Sequence, residues 1–263
     1  MLVDWLAERT QLVGAVWLDP ARWRGSWKGR IDFVRKRIRR YGVRKTVDEI
    51  AFFLYYQTLH AAREVRELEQ HVISPWRARS GAPRWSGDTL AVSDINSPEA
   101  ISFLRERRPD VAFAMCVKNY FGSEVRRIMK HGVFLWHDGF TPEYRGLYSP
   151  FWTVHNLDFE RLGYTLLRMN GEYDAGEVFV QERAHGIRPR HQFHEYLGHK
   201  AIADGLPAVE RFLKELEAGT ASPIERPGAR SAYYTYPGLS DFLRQRIRLR
   251  RLHETRASSS LDV

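Results

Sequence analysis

The run Asp110-Val111-Ala112-Phe113-Ala114-Met115-Cys116-Val117 constrains the fold more than any other stretch of the chain. It has the length of a strand, and its apolar residues do not alternate with polar ones, the pattern of a strand buried on both faces of a parallel sheet. A second run, Gly132-Val133-Phe134-Leu135-Trp136, follows a helical stretch from Gly122 to Lys130. Neighbouring parallel strands need a crossover connection, and the helix between these runs supplies it.

The flanking sequence extends the pattern. Gln11 to Leu18 reads as a buried strand ended by Asp19-Pro20, with the end of a helix ahead of it. From Ile31 to Glu69 the apolar positions Ile31, Val34, Ile38 and Tyr41, then Ile50, Phe53, Leu54 and Leu59, recur with helical period. They imply two packing helices separated near Gly42 to Thr46. Ser74 to Asp88, rich in Pro, Arg, Ser and Gly, reads as a loop, and Leu90-Ala91-Val92 as a short strand. Ser97-Pro98-Glu99 opens a helix with a capping serine and a proline at its first position, and Arg108-Pro109 ends it. Ser149 to His155 reads as a helix, Gly163 to Met169 and Glu177 to Gln181 as strands, with antiparallel members near the sheet edge. Gly198 to Gly219 has the spacing of one or two helices, Ala221 to Arg230 is linker, and a basic helix with a polar serine tail closes the chain. Tyr233-Tyr234-Thr235-Tyr236 alone in the last stretch resembles a strand.

A chain of 263 residues, 43% hydrophobic, is long enough to bury a full core. No apolar run approaches the roughly 20 residues that span a bilayer. The first residues carry charges where a signal peptide needs an apolar centre, so the expectation is a cytoplasmic protein with no membrane partner. Its one cysteine, Cys116, cannot close an internal disulfide. The net charge is +9, concentrated in Arg35-Lys36-Arg37-Ile38-Arg39-Arg40 and in Arg244 to Arg251. Arginines interleaved with apolar residues at helical spacing read first as the solvated face of a helix, and second as an attractor of RNA or an acidic substrate.

Open α/β sheets place ligands beyond the carboxyl ends of their strands. His137 follows the strand that ends at Trp136, and Asp174 lies in the loop between two later strands, so both are expected at one rim. An imidazole and a carboxylate at a shared rim suit acyl transfer. His194-Glu195-Tyr196-Leu197-Gly198-His199 imitates a zinc motif, but histidines five apart do not stack on a helix face, and no metal site is expected. Gly25 and Gly29 follow no strand and form no phosphate loop.

An apolar strand, His137, Pro142, Tyr144-Arg145-Gly146, then Pro150 and Trp152, then Gly163 and Thr165, then Met169 with Asp174 and Gly176, stand in an order that resembles the catalytic domain of the folate-dependent formyltransferases. Members of that family act on methionyl-tRNA, glycinamide ribonucleotide or amino sugars. The resemblance covers about Leu90 to Gln181, with Gln11 to Leu18 as an earlier strand. It implies an α/β fold, doubly wound and Rossmann-type, with a mostly parallel sheet. The family's first strand has no counterpart here, so either an upstream extension or an incomplete domain is expected. The expected division is a formyltransferase-like domain over residues 1–182 and a helical extension with a basic tail over residues 183–263.

The resemblance also implies an activity, the transfer of a formyl group from 10-formyltetrahydrofolate to a primary amine through a tetrahedral oxyanion. His137 matches the family histidine and Asp174 its aspartate, while the family asparagine is Leu135 here. Losing one such amide donor costs roughly 10²- to 10³-fold in rate, about 3 to 4 kcal/mol. Asp138, Asn119 or a water are the candidate replacements. The donor is expected between Met115, Cys116, Val117 and Lys118 on one wall and Asn170, Gly171, Glu172 and Tyr173 on the other. The side chains of Met115 and Cys116 are expected to pack as core strand. Tyr144, Arg145 and Gly146 are expected beside the substrate. The helical C-terminal residues disfavour tRNA and favour a small amine such as an amino sugar or amino acid derivative. Alternatives are a non-catalytic relative that binds the donor, a hydrolase of 10-formyltetrahydrofolate, and a basic RNA-binding protein.

Overall fold

A computed structural model describes residues 1–18, 27–80, 85–117, 119–188 and 193–259. The chain opens with α1 (Leu2–Arg9) and β1 (Ala15–Leu18), then a helical layer of α2 (Trp27–Tyr41), α3 (Val43–Leu59), α4 (Ala61–Leu68) and α5 (Ser74–Ser80). A π-helical turn, Glu69–Ile73, joins α4 to α5. β2 (Thr89–Val92), α6 (Pro98–Arg107), β3 (Ala112–Met115), α7 (Ser123–Ile128) and β4 (Val133–His137) follow. Then come β5 (Arg145–Gly146), α8 (Ser149–His155), β6 (Gly163–Met169) and β7 (Gly176–Arg183). α9 (His194–Asp204), α10 (Leu206–Glu217), β8 (Tyr233–Tyr234) and α11 (Leu239–Ser259) end the described chain.

The main sheet has the order β3-β4-β6-β7. β3 and β4 run parallel, as the crossover through α7 requires, and β6 and β7 add on antiparallel. β1 pairs only with β2 and β5 only with β8, both in parallel, so among the described residues no strand joins the β1-β2 pair to β3. This is the expected α/β fold, with antiparallel members toward one edge.

Alternation along β4 feeds two cores. Phe134 and Trp136 point to one face, against Tyr164, Ile202, Val209 and Phe212, where α1, α9 and α10 cover the sheet. Val133 and Leu135 point to the other, against Ala114, Ile101, Val125 and Leu167, where α6 and α7 lie. Val92 and the partly buried Val16, Leu18 and Leu90 join this second core, so both sheets share it. Phe134 is fully buried and meets Phe212 edge-on with centroids 4.9 Å apart; truncating it to alanine would cost about 3–5 kcal/mol. α6 starts where its caps demand, with Ser97 Oγ accepting from the Ala100 amide at 3.2 Å and Pro98 in the first turn.

Three local expectations are corrected. Ser74 to Ser80 is helix, not loop, because the π turn at Glu69–Ile73 shifts the hydrogen-bond register just ahead of Pro75, whose nitrogen cannot donate. α9 begins at His194, four residues before the glycine expected to open it. In α3 the period is right but the direction is reversed: Ile50, Phe53, Leu54 and Leu59 are exposed, while Thr46, Glu49, Phe52 and Tyr56 are buried. Glu49 is held inside by Arg37 of α2, whose Nε donates to Glu49 Oε2 at 3.0 Å.

Candidate active site

His137 is the last residue of β4 and is buried. Its Nε2 lies 2.7 Å from the Tyr144 carbonyl oxygen, so this nitrogen carries the hydrogen and donates. Ser149, the first residue of α8, sends its hydroxyl to the same carbonyl at 3.1 Å and lies 3.1 Å from Nε2. With one ring nitrogen anchored, the orientation of the other is fixed. Nδ1 faces two carboxylates, 3.8 Å from Asp174 Oδ1 and 3.8 Å from Asp138 Oδ1.

Asp174 sits in the left-handed region at φ 47°, in the loop between β6 and β7. Its Oδ2 accepts from the Gly146 amide at 2.8 Å, which leaves Oδ1 turned toward His137. Asp138, with 41% of its side chain exposed, still lies among enough protein that desolvation raises its carboxyl above the usual range; His137 and His199 act in the opposite sense.

Tyr144-Arg145-Gly146 ties the site together. The Tyr144 carbonyl holds His137, the Gly146 amide holds Asp174, and Arg145 donates from Nε and Nη2 to the Tyr173 carbonyl at 3.0 and 2.6 Å. Arg145 Nη1 also reaches Ser231 Oγ at 3.2 Å. The Tyr144 ring is buried against Tyr234, with centroids 5.4 Å apart, and its hydroxyl donates to Asp158 at 3.0 Å. Gly146 has φ 98°, and a Cβ there would stand 2.1 Å from the Tyr234 carbonyl oxygen, so the β5-β8 pairing requires glycine.

The loops that follow β3 and β6 meet through Tyr120, a residue outside the expected walls, and Tyr173. Tyr120, after β3, and Tyr173, beside Asp174, are both exposed and meet edge-to-face at 5.9 Å. Asn170 Oδ1 accepts from the Glu172 amide at 3.0 Å, Gly171 turns at φ 108° beside Arg126 of α7, and Glu172 is exposed. Met115 packs into the core at the end of β3, and Val117 packs on the opposite core. Cys116 does not join the core strand: the chain leaves β3 at Met115, and Cys116 turns outward at φ 54°. Lys118 lies outside the described residues.

Leu135 is buried with Ala114, Leu167 and Val178, two residues before His137 on the same face of β4. No amide reaches the site from that position. Ser149 escaped the sequence reading, which took it only as the start of a helix; a serine directly before Pro150 was the available signal, and it points to a cap as readily as to a histidine partner. His194 lies apart from this site. It is buried, neither ring nitrogen has a hydrogen-bond partner among the described residues, and burial pushes its pKa down to about 3.

No family model matches the chain. Over 161 residues it is 28% identical to the methionyl-tRNA formyltransferase of Thermotoga maritima, covering 61% of this chain and 50% of that protein. Over 139 residues it is 32% identical to the methionyl-tRNA formyltransferase of Thermotoga sp. (strain RQ2), covering 53% of this chain and 44% of that protein. The chain thus spans about half the length of the curated relatives it matches. Among solved structures it is similar to a sugar N-formyltransferase from Shewanella sp. FDAARGOS_354, with a TM-score of 0.46 and 19% identity over 59% of this chain and 58% of that one. A phosphoribosylglycinamide formyltransferase from Anaplasma phagocytophilum gives a TM-score of 0.45 and 17% identity over 56% of this chain and 72% of that one.

Proposed function

We propose that this chain, a sequence relative of the formyltransferases, transfers a formyl group from 10-formyltetrahydrofolate to the primary amine of a small substrate. The observation that carries the reading is the approach of His137 Nδ1 to within 3.8 Å of Asp174 Oδ1 at the carboxyl end of β4. Direct hydrogen bonds are shorter than this. The gap leaves room for the hydrogens of a reacting group to engage both side chains.

The folate donor supplies an activated formyl carbon. The exposed tyrosines Tyr120 and Tyr173, where the loop after β3 meets the loop 170–174, would offer its flat ring system an aromatic surface. Met115, Cys116, Val117 and Lys118 on one side, and Asn170, Gly171, Glu172 and Tyr173 on the other, are the residues assigned to hold it.

His137 does two things at once. Its Nε2 stays bonded to the Tyr144 carbonyl, which fixes the ring, and Nδ1, when protonated, donates to the formyl oxygen as negative charge builds there. Asp174, oriented by the Gly146 amide, takes a proton from the attacking amine and passes it to the folate nitrogen, which leaves as its bond to the formyl carbon breaks. Asp138 on the other side of Nδ1 is the residue assigned to replace the amide that Leu135 lacks; its raised carboxyl is a hydrogen-bond donor when protonated.

The acceptor assigned here is an amino sugar or amino acid derivative. Helices α9, α10 and α11 dominate the chain after β7, which favours a small acceptor over tRNA. Isotope-traced transfer from 10-formyltetrahydrofolate to a panel of such amines tests the reading. Labelled formate without labelled amine would mark a hydrolase instead. A second reading, donor binding without transfer, is favoured by the burial of Leu135 in the apolar core; donor affinity with neither product would select it.

A further inference from the structure

α3 carries its apolar stripe on the wrong side for a core helix. Val43, Val47, Ile50 and Leu54 are spaced four, three and four residues apart, which sets them on one face, and each is between 39% and 60% exposed. Phe53 beside them is 53% exposed. Among the described residues nothing covers this face. The inward side is occupied by Thr46, Glu49, Phe52 and Tyr56, so the helix is already fully engaged with the body of the protein.

Two helices packed against α3, α2 through Arg37 and Glu49 and α11 through Asp241 and Lys45, add exposed charge. α11 exposes Leu243 and Ile247, four residues apart, with Arg244 and Arg250 on the same side of the helix. α2, joined to α3 through Gly42, exposes Arg30, Lys36, Arg39 and Arg40 against a single acid, Asp32, and Arg44 follows at the start of α3. The result is an apolar stripe on a helix whose two packed neighbours, α2 and α11, carry exposed cations.

We propose that α3, flanked by α2 and α11, is a docking surface for an anionic lipid bilayer. A bilayer interface offers both things this surface asks for: phosphate head groups for the arginines and acyl chains for Val47, Ile50 and Leu54. Nucleic acid would answer the charge and leave the aliphatic stripe in water. A second copy would cover the stripe but would bring two cationic borders together, in a chain of net charge +9. No helix among the described residues is long and apolar enough to cross a membrane, so the contact is peripheral. The expectation of no membrane partner rests on the lack of a spanning apolar run and on the charged first residues, and a peripheral contact needs neither a span nor a signal peptide.

The test is flotation of the full chain with vesicles of phosphatidylcholine alone and with about one third phosphatidylglycerol. The expected result is binding to the anionic vesicles only, weakened by salt. A Val47→Glu/Leu54→Glu pair and a Lys36→Glu/Arg39→Glu pair should each lower that binding about 10-fold or more, with melting curves unchanged because all four side chains are exposed. Equal binding to both vesicle types, or variants that bind as the parent does, would overturn the proposal. So would a dimer in light scattering that Val47→Glu dissociates while vesicles stay unbound, or salt-sensitive RNA binding without vesicle binding.

Discussion

His137 Nδ1 stands 3.8 Å from Asp174 Oδ1, and both side chains are anchored from behind by one short segment, His137 through the Tyr144 carbonyl and Asp174 through the Gly146 amide. A histidine at the end of a strand and an aspartate in a left-handed loop position are thereby set by the two peptide groups on either side of Arg145, one for each side chain. The pairing of β5 with β8 holds that segment in place.

Gly146→Ala should therefore damage the site and the fold together. The added Cβ would meet the Tyr234 carbonyl oxygen at 2.1 Å with φ at 98°, so β5 and β8 must part. A loss of about 2 kcal/mol or more is expected, read as a fall in melting temperature of roughly 5 °C or more. An unchanged melting curve would mean that this pairing does not hold the segment.

Leu135→Asn tests whether the missing amide limits the chemistry. It should raise the rate of formyl transfer, by up to about 10²-fold, and lower stability by about 2–4 kcal/mol because an amide enters the core beside Ala114 and Leu167. Single-turnover rates and denaturant midpoints separate the two effects. If stability falls with no gain in rate, Leu135 is not where a donor is missing.

Glu64 gives the fold a pH dependence. Burial pushes its carboxyl from 4.5 up to about 7, although Tyr56 and the Tyr196 amide donate to it. The folded chain thus keeps a proton that the unfolded chain has released, and stability should fall as pH rises from about 4.5 to about 7, by roughly 3 kcal/mol at most. Glu64→Gln should flatten this slope in denaturant titrations at a series of pH values. A slope that survives the substitution would assign it to another group.

His194 acts in the opposite sense. With its pKa lowered to about 3 by burial, it stays neutral in the folded chain while the unfolded chain takes up a proton near 6.5, so stability is lost as pH falls below about 6.5. Its ring packs against Tyr56 and Tyr148, with centroids 4.6 Å away in each case. His194→Phe should remove the acid-side loss and, by deleting two nitrogens that have no hydrogen-bond partner among the described residues, add about 1–3 kcal/mol at neutral pH. A variant that melts lower at neutral pH would show that the nitrogens are satisfied in solution.

The sheet was legible where runs of residues carry a local pattern. Asp110 to Val117 and Gly132 to Trp136 announce β3 and β4, and His137 follows from position, since the residue after a buried strand reaches the rim. β5 was not legible: Arg145-Gly146 is held in a strand by Tyr233-Tyr234, and two residues carry no period. The direction of α3 was misread because period reports which residues share a face and not where that face points. Arg37 reaching in to the buried Glu49 decides that, through a contact between two helices that neither helix shows alone.

The most direct measurement is single-turnover transfer of labelled formyl from 10-formyltetrahydrofolate to an acceptor amine, comparing the parent chain with His137→Ala and Asp174→Asn. Labelled amine from the parent, with each variant slower by about 10²- to 10⁴-fold and donor affinity little changed, is the result expected of two groups acting on one carbonyl. Transfer at the parental rate by either variant would contradict a reaction centre shared by this imidazole and this carboxylate.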